Sequence, residues 1–91
     1  MLPTIWSAAA IADAGQIVDY IASQNPTAAQ NVRNRLGEVA EGLGRAPYAY
    51  RAGRVPGTRE AVVLPSYVPV YRVELQAIRI VQVLHTARRY P

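Results

Sequence analysis

The hydrophobic period changes halfway along the chain, and this limits the fold more than any other feature. Ile11, Ala14, Val18 and Ile21 recur at helical spacing with Ile17 beside them, and Ala29, Val32, Leu36, Val39 and Leu43 repeat the pattern. After residue 57 the pattern becomes that of strands, rich in β-branched and aromatic residues. Helices followed by strands in one short chain predict an α+β domain rather than an alternating parallel sheet.

The boundaries can be read from single residues. Thr4-Ile5-Trp6 favours a short strand, and Ser7 suits the N-cap of a first helix. Gly15 inside that helix costs about 1 kcal/mol against alanine, which predicts another backbone packed closely against it. Asn25-Pro26 is a second start, a cap followed by a proline that loses no donor. Gly42 and Gly44 are expected to end the helix through left-handed geometry. The short link between the helices predicts an antiparallel hairpin.

Residues 45–57 read as an irregular Arg/Gly/Pro loop in which Gly57 makes a tight turn after Pro56. Thr58–Leu64, Tyr67–Glu74 and Ile78–Leu84 read as three strands of an antiparallel meander. The last is nearly all apolar, which places it inside the sheet. Pro69 lies mid-strand, so either its donorless side faces outward or a bulge sits there. The chain reads as one domain over 1–91: a short strand and hairpin to 44, a loop to 57, a meander over 58–84 and a tail over 85–91.

Composition narrows the chemistry. With 91 residues, no cysteine and one histidine, disulfides and ordinary zinc sites are excluded, and no Gly-rich loop with a lysine offers a phosphate cradle. No cofactor or metal is expected. Without a signal-like start or a membrane-length apolar run, the expected location is the cytoplasm. All the basic residues are arginines, and they are unevenly placed. Residues 1–44 set Arg33 and Arg35 against Asp13, Asp19, Glu38 and Glu41, a net of −2, whereas residues 45–91 carry a net of +6. The second half should present a cationic face to an acidic partner.

The candidate contacts come from that half. Arg54 and Arg59 flank Gly57, and either brace the loop against Glu60 or backbone carbonyls, or meet a partner. Arg72 in a central strand either pairs with an acid such as Glu60 or points from an open face. Tyr48, Tyr50, Tyr67 and Tyr71 read first as half-buried packing. His85 either bonds at the core's rim or serves as a base. Arg88, Arg89 and Tyr90, at the chain end, have no core role to fill.

The ordered set of segments Arg54-Val55-Pro56-Gly57-Thr58-Arg59-Glu60, Tyr67, Val70-Tyr71-Arg72-Val73 and Val83-Leu84-His85-Thr86-Ala87-Arg88-Arg89-Tyr90-Pro91 resembles the ParE/RelE toxins of type II toxin–antitoxin systems. It is closer to the ParE branch of plasmid stabilisation proteins. Trp6, Tyr20-Ile21-Ala22 and Asn25-Pro26-Ala28-Ala29 agree with it. Pro69 and the turn Glu74-Leu75-Gln76-Ala77 depart from the usual pattern. The resemblance implies a β-α-α-β-β-β fold, with the hairpin on one face of a twisted, mainly antiparallel sheet. It also implies a hetero-oligomer with a ParD-like antitoxin bearing an acidic C-terminal segment. Arg54, Arg59, Arg72, Arg88, Arg89 and Tyr90 are then the expected antitoxin or target contacts.

Two activities follow from the resemblance. ParE-type members are associated with inhibition of DNA gyrase, and RelE-type members cut mRNA on the ribosome. The second chemistry would fall to His85, Arg88 and Tyr90. The strand arginine and lysine that RelE-type members often carry are replaced here by Val68 and Ala61, which favours the non-catalytic branch. A partner of an antitoxin that has lost toxicity is a third reading.

Overall fold

The computed structural model describes residues 1–62 and 66–85. The elements are β1 (Thr4–Trp6), α1 (Ala8–Ala22), α2 (Pro26–Arg45), β2 (Arg51–Ala52), β3 (Arg59–Glu60), β4 (Tyr67–Val73) and β5 (Ile78–His85). They build an α+β fold in which two helices pack on a five-stranded mixed sheet of order β1-β5-β4-β3-β2. Among the described residues the β1–β5 pairing is parallel and the other pairings are antiparallel.

Local chemistry sets where the helices begin. The Ser7 hydroxyl accepts from the Ala10 amide at 3.1 Å, and the Asn25 side chain accepts from the Ala28 amide at 3.0 Å, with Pro26 at the first position. The end of α2 corrects the reading of its glycines. Gly42 and Gly44 lie within the helix, and Gly57 is the positive-φ glycine. Gly44 serves close approach instead: a Cβ there would collide with the Leu2 carbonyl, and the Leu2 amide donates to the Gly44 carbonyl at 3.1 Å. Gly15 reverses its expectation, since a Cβ there would meet nothing within 4 Å.

The core lies between the hairpin and the sheet. Ala10, Val39, Ala40, Leu43, Ala61, Tyr71, Ile78 and Ile80 form one cluster, and Ile17, Leu36 and Val83 form a second with Trp6, Val32 and Tyr67 against it. Ile11 is not part of it; at 60% exposed it stands outside the stripe that spacing alone gave it. Asp13 reaches from α1 to accept the Val83 amide at 3.0 Å, which occupies the flank of β5 beyond the short β1.

The sheet departs from a three-strand meander in one respect. Arg51-Ala52, inside the expected loop, pairs with Glu60 and Arg59 and adds an edge strand. Two-residue strands carry too little pattern to be read from sequence. The first expected meander strand is confined to Arg59–Glu60 among the described residues, with residues 63–65 of its range outside them. Pro69 faces β3: its carbonyl accepts from Ala61 at 2.9 Å, so its missing donor falls where that ladder runs out. The register slips next to it, between Val70 and Tyr71. β5 is an inner strand, between β1 and β4, as its apolar run predicts.

Candidate functional site

The arginine-rich segment folds around a single turn. The Thr58 amide donates to the Val55 carbonyl at 3.1 Å, and Gly57 has φ +83°, the pattern of a type II turn with Pro56 ahead of the glycine. The Thr58 hydroxyl donates to the same carbonyl at 2.6 Å. The loop closes below it through the Gly53 amide and the Thr58 carbonyl at 2.7 Å.

Glu60 is the keystone. Its side chain is 3% exposed, yet it faces two arginines. The Arg51 guanidinium donates to Oε1 at 3.0 Å, the Arg54 amide donates to Oε2 at 3.1 Å, and the Arg54 Nε lies 3.8 Å from Oε2. Burial opposes ionisation, but the Arg54 amide, the Arg51 hydrogen bond and both positive charges outweigh it and hold the carboxyl below its ordinary range. Arg59 turns to the other side of the strand, donating to the Tyr50 carbonyl at 2.7 Å and lying over the Tyr48 ring at 4.8 Å. Below it the Tyr71 hydroxyl donates to the Pro47 carbonyl at 2.7 Å. Burial pushes that phenol's pKa up, against the nearby charge of Arg59.

Arg54 and Arg59 therefore brace the loop, one on Glu60 and one on a carbonyl. Arg72 does not pair with Glu60. It is half-buried on β4 with its guanidinium against the turn, 2.8 Å from where a Cβ on Gly57 would stand. Among the described residues no carboxylate lies within ion-pair distance of it. Its cross-strand neighbour Arg79 donates to Glu74 at 2.9 Å. Since Tyr71, Ile78 and Ile80 face the helices, strand alternation turns Arg72 and Arg79 to the opposite face. Among the described residues of this half, every guanidinium but that of Arg72 is held by the chain's own oxygens, which corrects the expectation of a cationic face left for a partner. Arg51, which sequence reasoning passed over, belongs to the cluster; its only signal was membership of an arginine-rich loop.

His85 lies elsewhere. It ends β5 opposite Tyr67, their rings 5.0 Å apart and tilted by 38°, roughly 20 Å along the strands from Arg72. Arg88, Arg89 and Tyr90 lie outside the described residues. Val68 and Ala61 are buried, 4% and 0% exposed.

A second feature gave no sequence signal beyond two helical glycines. An open cavity of about 320 Å³ between α1 and α2 is lined by Trp6, Ile11, Gly15, Val18, Asp19 and Arg33, among others. A neighbouring one of about 530 Å³ lies between the N-terminal residues, Met1–Thr4 with Trp6, and Gly37, Ala40 and Glu41 of α2. Trp6 and Gly37 line both. Among the described residues no helix is long and apolar enough to cross a membrane.

Comparison with known proteins places this geometry. The family model described as the ParE toxin of the type II toxin–antitoxin system parDE matches residues 4–90. The toxin RelE2 of Caulobacter vibrioides is 39% identical over 97% of this chain and 99% of its own. Among solved structures, the chromosomal ParDE system of P. aeruginosa superposes with a TM-score of 0.82 at 24% identity, over 93% of this chain and 96% of that one. The RelBE2 toxin–antitoxin complex of Mycobacterium tuberculosis gives 0.66 at 20% identity, over 92% and 96%. These two structures share the fold of two helices on a mixed sheet. By the family match across nearly its whole length, this chain belongs to the ParE toxins of type II toxin–antitoxin systems.

Proposed function

We propose that the chain is neutralised by an antitoxin with an acidic C-terminal segment. Once released, it inhibits DNA gyrase in the cytoplasm through its surface, without cutting RNA. The observation that carries the choice of target is the burial of Val68 and Ala61, 4% and 0% exposed. They stand where ribonuclease members of the superfamily often place an arginine and a lysine. Buried methyl groups neither stabilise a phosphorane nor move a proton. His85 packs against Tyr67 with its ring tilted, apart from the arginine cluster. The antitoxin reading is supported by the M. tuberculosis neighbour, itself a toxin–antitoxin complex. The half-buried Arg72, with no carboxylate at ion-pair distance among the described residues, suits an acidic segment.

One observation favours a second reading, a ribosome-dependent ribonuclease using His85, Arg88 and Tyr90: the relative at 39% identity carries the name RelE2. Induction without the antitoxin separates the two. Gyrase inhibition gives filamentous cells, the SOS response and protein-linked DNA breaks. Codon-phased mRNA cuts that vanish in Arg88→Ala would overturn the proposal in favour of the ribonuclease. Harmless expression would overturn both, leaving a non-toxic antitoxin partner.

A further inference from the structure

Two turns project from one end of the sheet. The first is Glu74-Leu75-Gln76-Ala77 between β4 and β5, closed by the Glu74 amide donating to the Ala77 carbonyl at 2.9 Å. The second is the turn at Gly57. Arg59 pairs with Tyr71 in an antiparallel ladder, so the residues before Arg59 lie beside those after Tyr71. The Arg72 guanidinium against Gly57 follows from that register. Arg72 and its cross-strand neighbour Arg79 thus stand between the two turns.

A leucine at the tip of the first turn does nothing for the fold. Turn positions favour Gly, Pro, Asn, Asp and Ser, and this is a turn at which the sequence departs from the family pattern. Leu75 is 92% exposed, against 7% for Ala77 in the same turn, and belongs to neither core cluster. Val55, at the start of the other turn, is 45% exposed, and Pro56 and Gly57 beside it are exposed too. Singly exposed apolar residues are common. Here two projecting tips flank an arginine with no carboxylate at ion-pair distance among the described residues. A local rule broken without any gain in packing points to a surface kept for a partner.

We propose that this end of the sheet is the contact with the target protein. Leu75 enters an apolar pocket on the target, and Arg72 meets a carboxylate at the pocket's rim. The inference rests on the reading of gyrase as the target and specifies which surface of the chain binds it. Arg72 serves in both states: the antitoxin's acidic segment covers it in the neutralised complex, and the target meets it after release.

Shape and charge select this occupant. A projecting side chain is buried only by a concave surface, which a folded protein has and an extended antitoxin segment lacks. Nucleic acid fits less well, because the side chains of Leu75 and Val55 offer a phosphate neither charge nor donor and a base no ring to stack on. A second copy would have to dock head to tail, since the chain's own cavities lie against the helices, and such a contact leads to rings or filaments rather than a dimer.

The test measures inhibition of gyrase supercoiling by the purified chain and, separately, its affinity for the product of the reading frame immediately upstream. Leu75→Asp should raise the concentration for half-inhibition at least about tenfold. It should leave antitoxin affinity and melting temperature unchanged, because the side chain it replaces is 92% exposed. Leu75→Met, which keeps an apolar tip, should retain inhibition. Tyr20→Asp is the control. Tyr20 is 57% exposed in the last turn of α1, and α1 runs beside β5 from Ser7 at Ile80 to Ile17 at Val83, so it ends at the opposite end of the sheet. This variant should inhibit as the parent does. Undiminished inhibition by Leu75→Asp, or an equal loss in Tyr20→Asp, overturns the proposal and leaves the gyrase reading intact. A matching loss of antitoxin affinity in Leu75→Asp overturns the choice of occupant, as does self-association of the parent that Leu75→Asp abolishes. A parent chain that does not inhibit gyrase overturns the reading and the proposal together.

Discussion

The helical hairpin and the arginine-rich loop use the same two residue types to different ends. On α2, Arg35 meets Glu38 at 3.2 Å and Arg45 meets Glu41 at 3.6 Å, pairs one helical turn apart whose side chains are about half exposed or more. In the loop, Arg51 and Arg54 meet one glutamate whose side chain is 3% exposed. An exposed pair trades water for a partner at nearly equal free energy, whereas a buried carboxylate has no water to return to. The helices are thus held by their apolar stripes, and the loop by a few polar contacts that it cannot lose separately.

The largest effect should come from Tyr71→Ala, since this ring is fully buried between sheet and helices while its hydroxyl anchors the loop at Pro47. A loss of about 3–5 kcal/mol is expected from urea unfolding. Tyr71→Phe should lose only about 1 kcal/mol. Equal losses would show that the hydroxyl, not the ring, joins the two regions.

Glu60→Ala comes next, at about 2 kcal/mol, below the cost of breaking a fully buried pair because both arginine partners are half exposed. The same carboxyl governs acid stability. Its folded-state pKa is lowered, so its contribution is complete above the ordinary glutamate value of about 4.3 and is lost as pH falls through the folded value. Melting curves taken downward from neutral pH should show that loss, and Glu60→Gln should flatten it.

Gly57→Ala should cost about 1–2 kcal/mol, because an L side chain at φ +83° is strained and its Cβ meets Arg72. Deuterium uptake over residues 53–60 should rise with it. Glu38→Ala should be smallest, within about 0.5 kcal/mol. A Glu38→Ala loss as large as that of Glu60→Ala would erase the contrast between the two regions.

Legibility followed the same divide. Ser7 and Asn25 cap their own helices, and Leu36, Val39 and Leu43 bury the face their spacing gave them. Each depends on residues three or four positions away. Ile11 fails because Ala10 fills the buried position in the first turn of α1, leaving Ile11 60% exposed on the rim of the cavity between the helices, and no spacing within the helix encodes that choice. β2 is defined by its pairing across the loop, Arg51 with Glu60 and Ala52 with Arg59. Of the expected contacts, Arg54 and Arg59 were placed beside Gly57 correctly but act first on their own chain. The cavities past Trp6 and Gly37 were invisible, being spaces between elements.

The residue pattern by itself determined the class of fold, the starts of both helices, the turn at Gly57 and the inner position of β5, because each follows from short-range sterics, capping or burial on both faces. Tertiary structure decided which carboxylate each arginine meets, that Gly44 serves a backbone crossing rather than a helix end, and that the turns at Gly57 and Leu75 share one end of the sheet. Those facts join residues as far apart as Leu2 and Gly44. Such contacts arise only once the apolar faces have set how the layers sit, so their identity is a product of packing and not of any local preference.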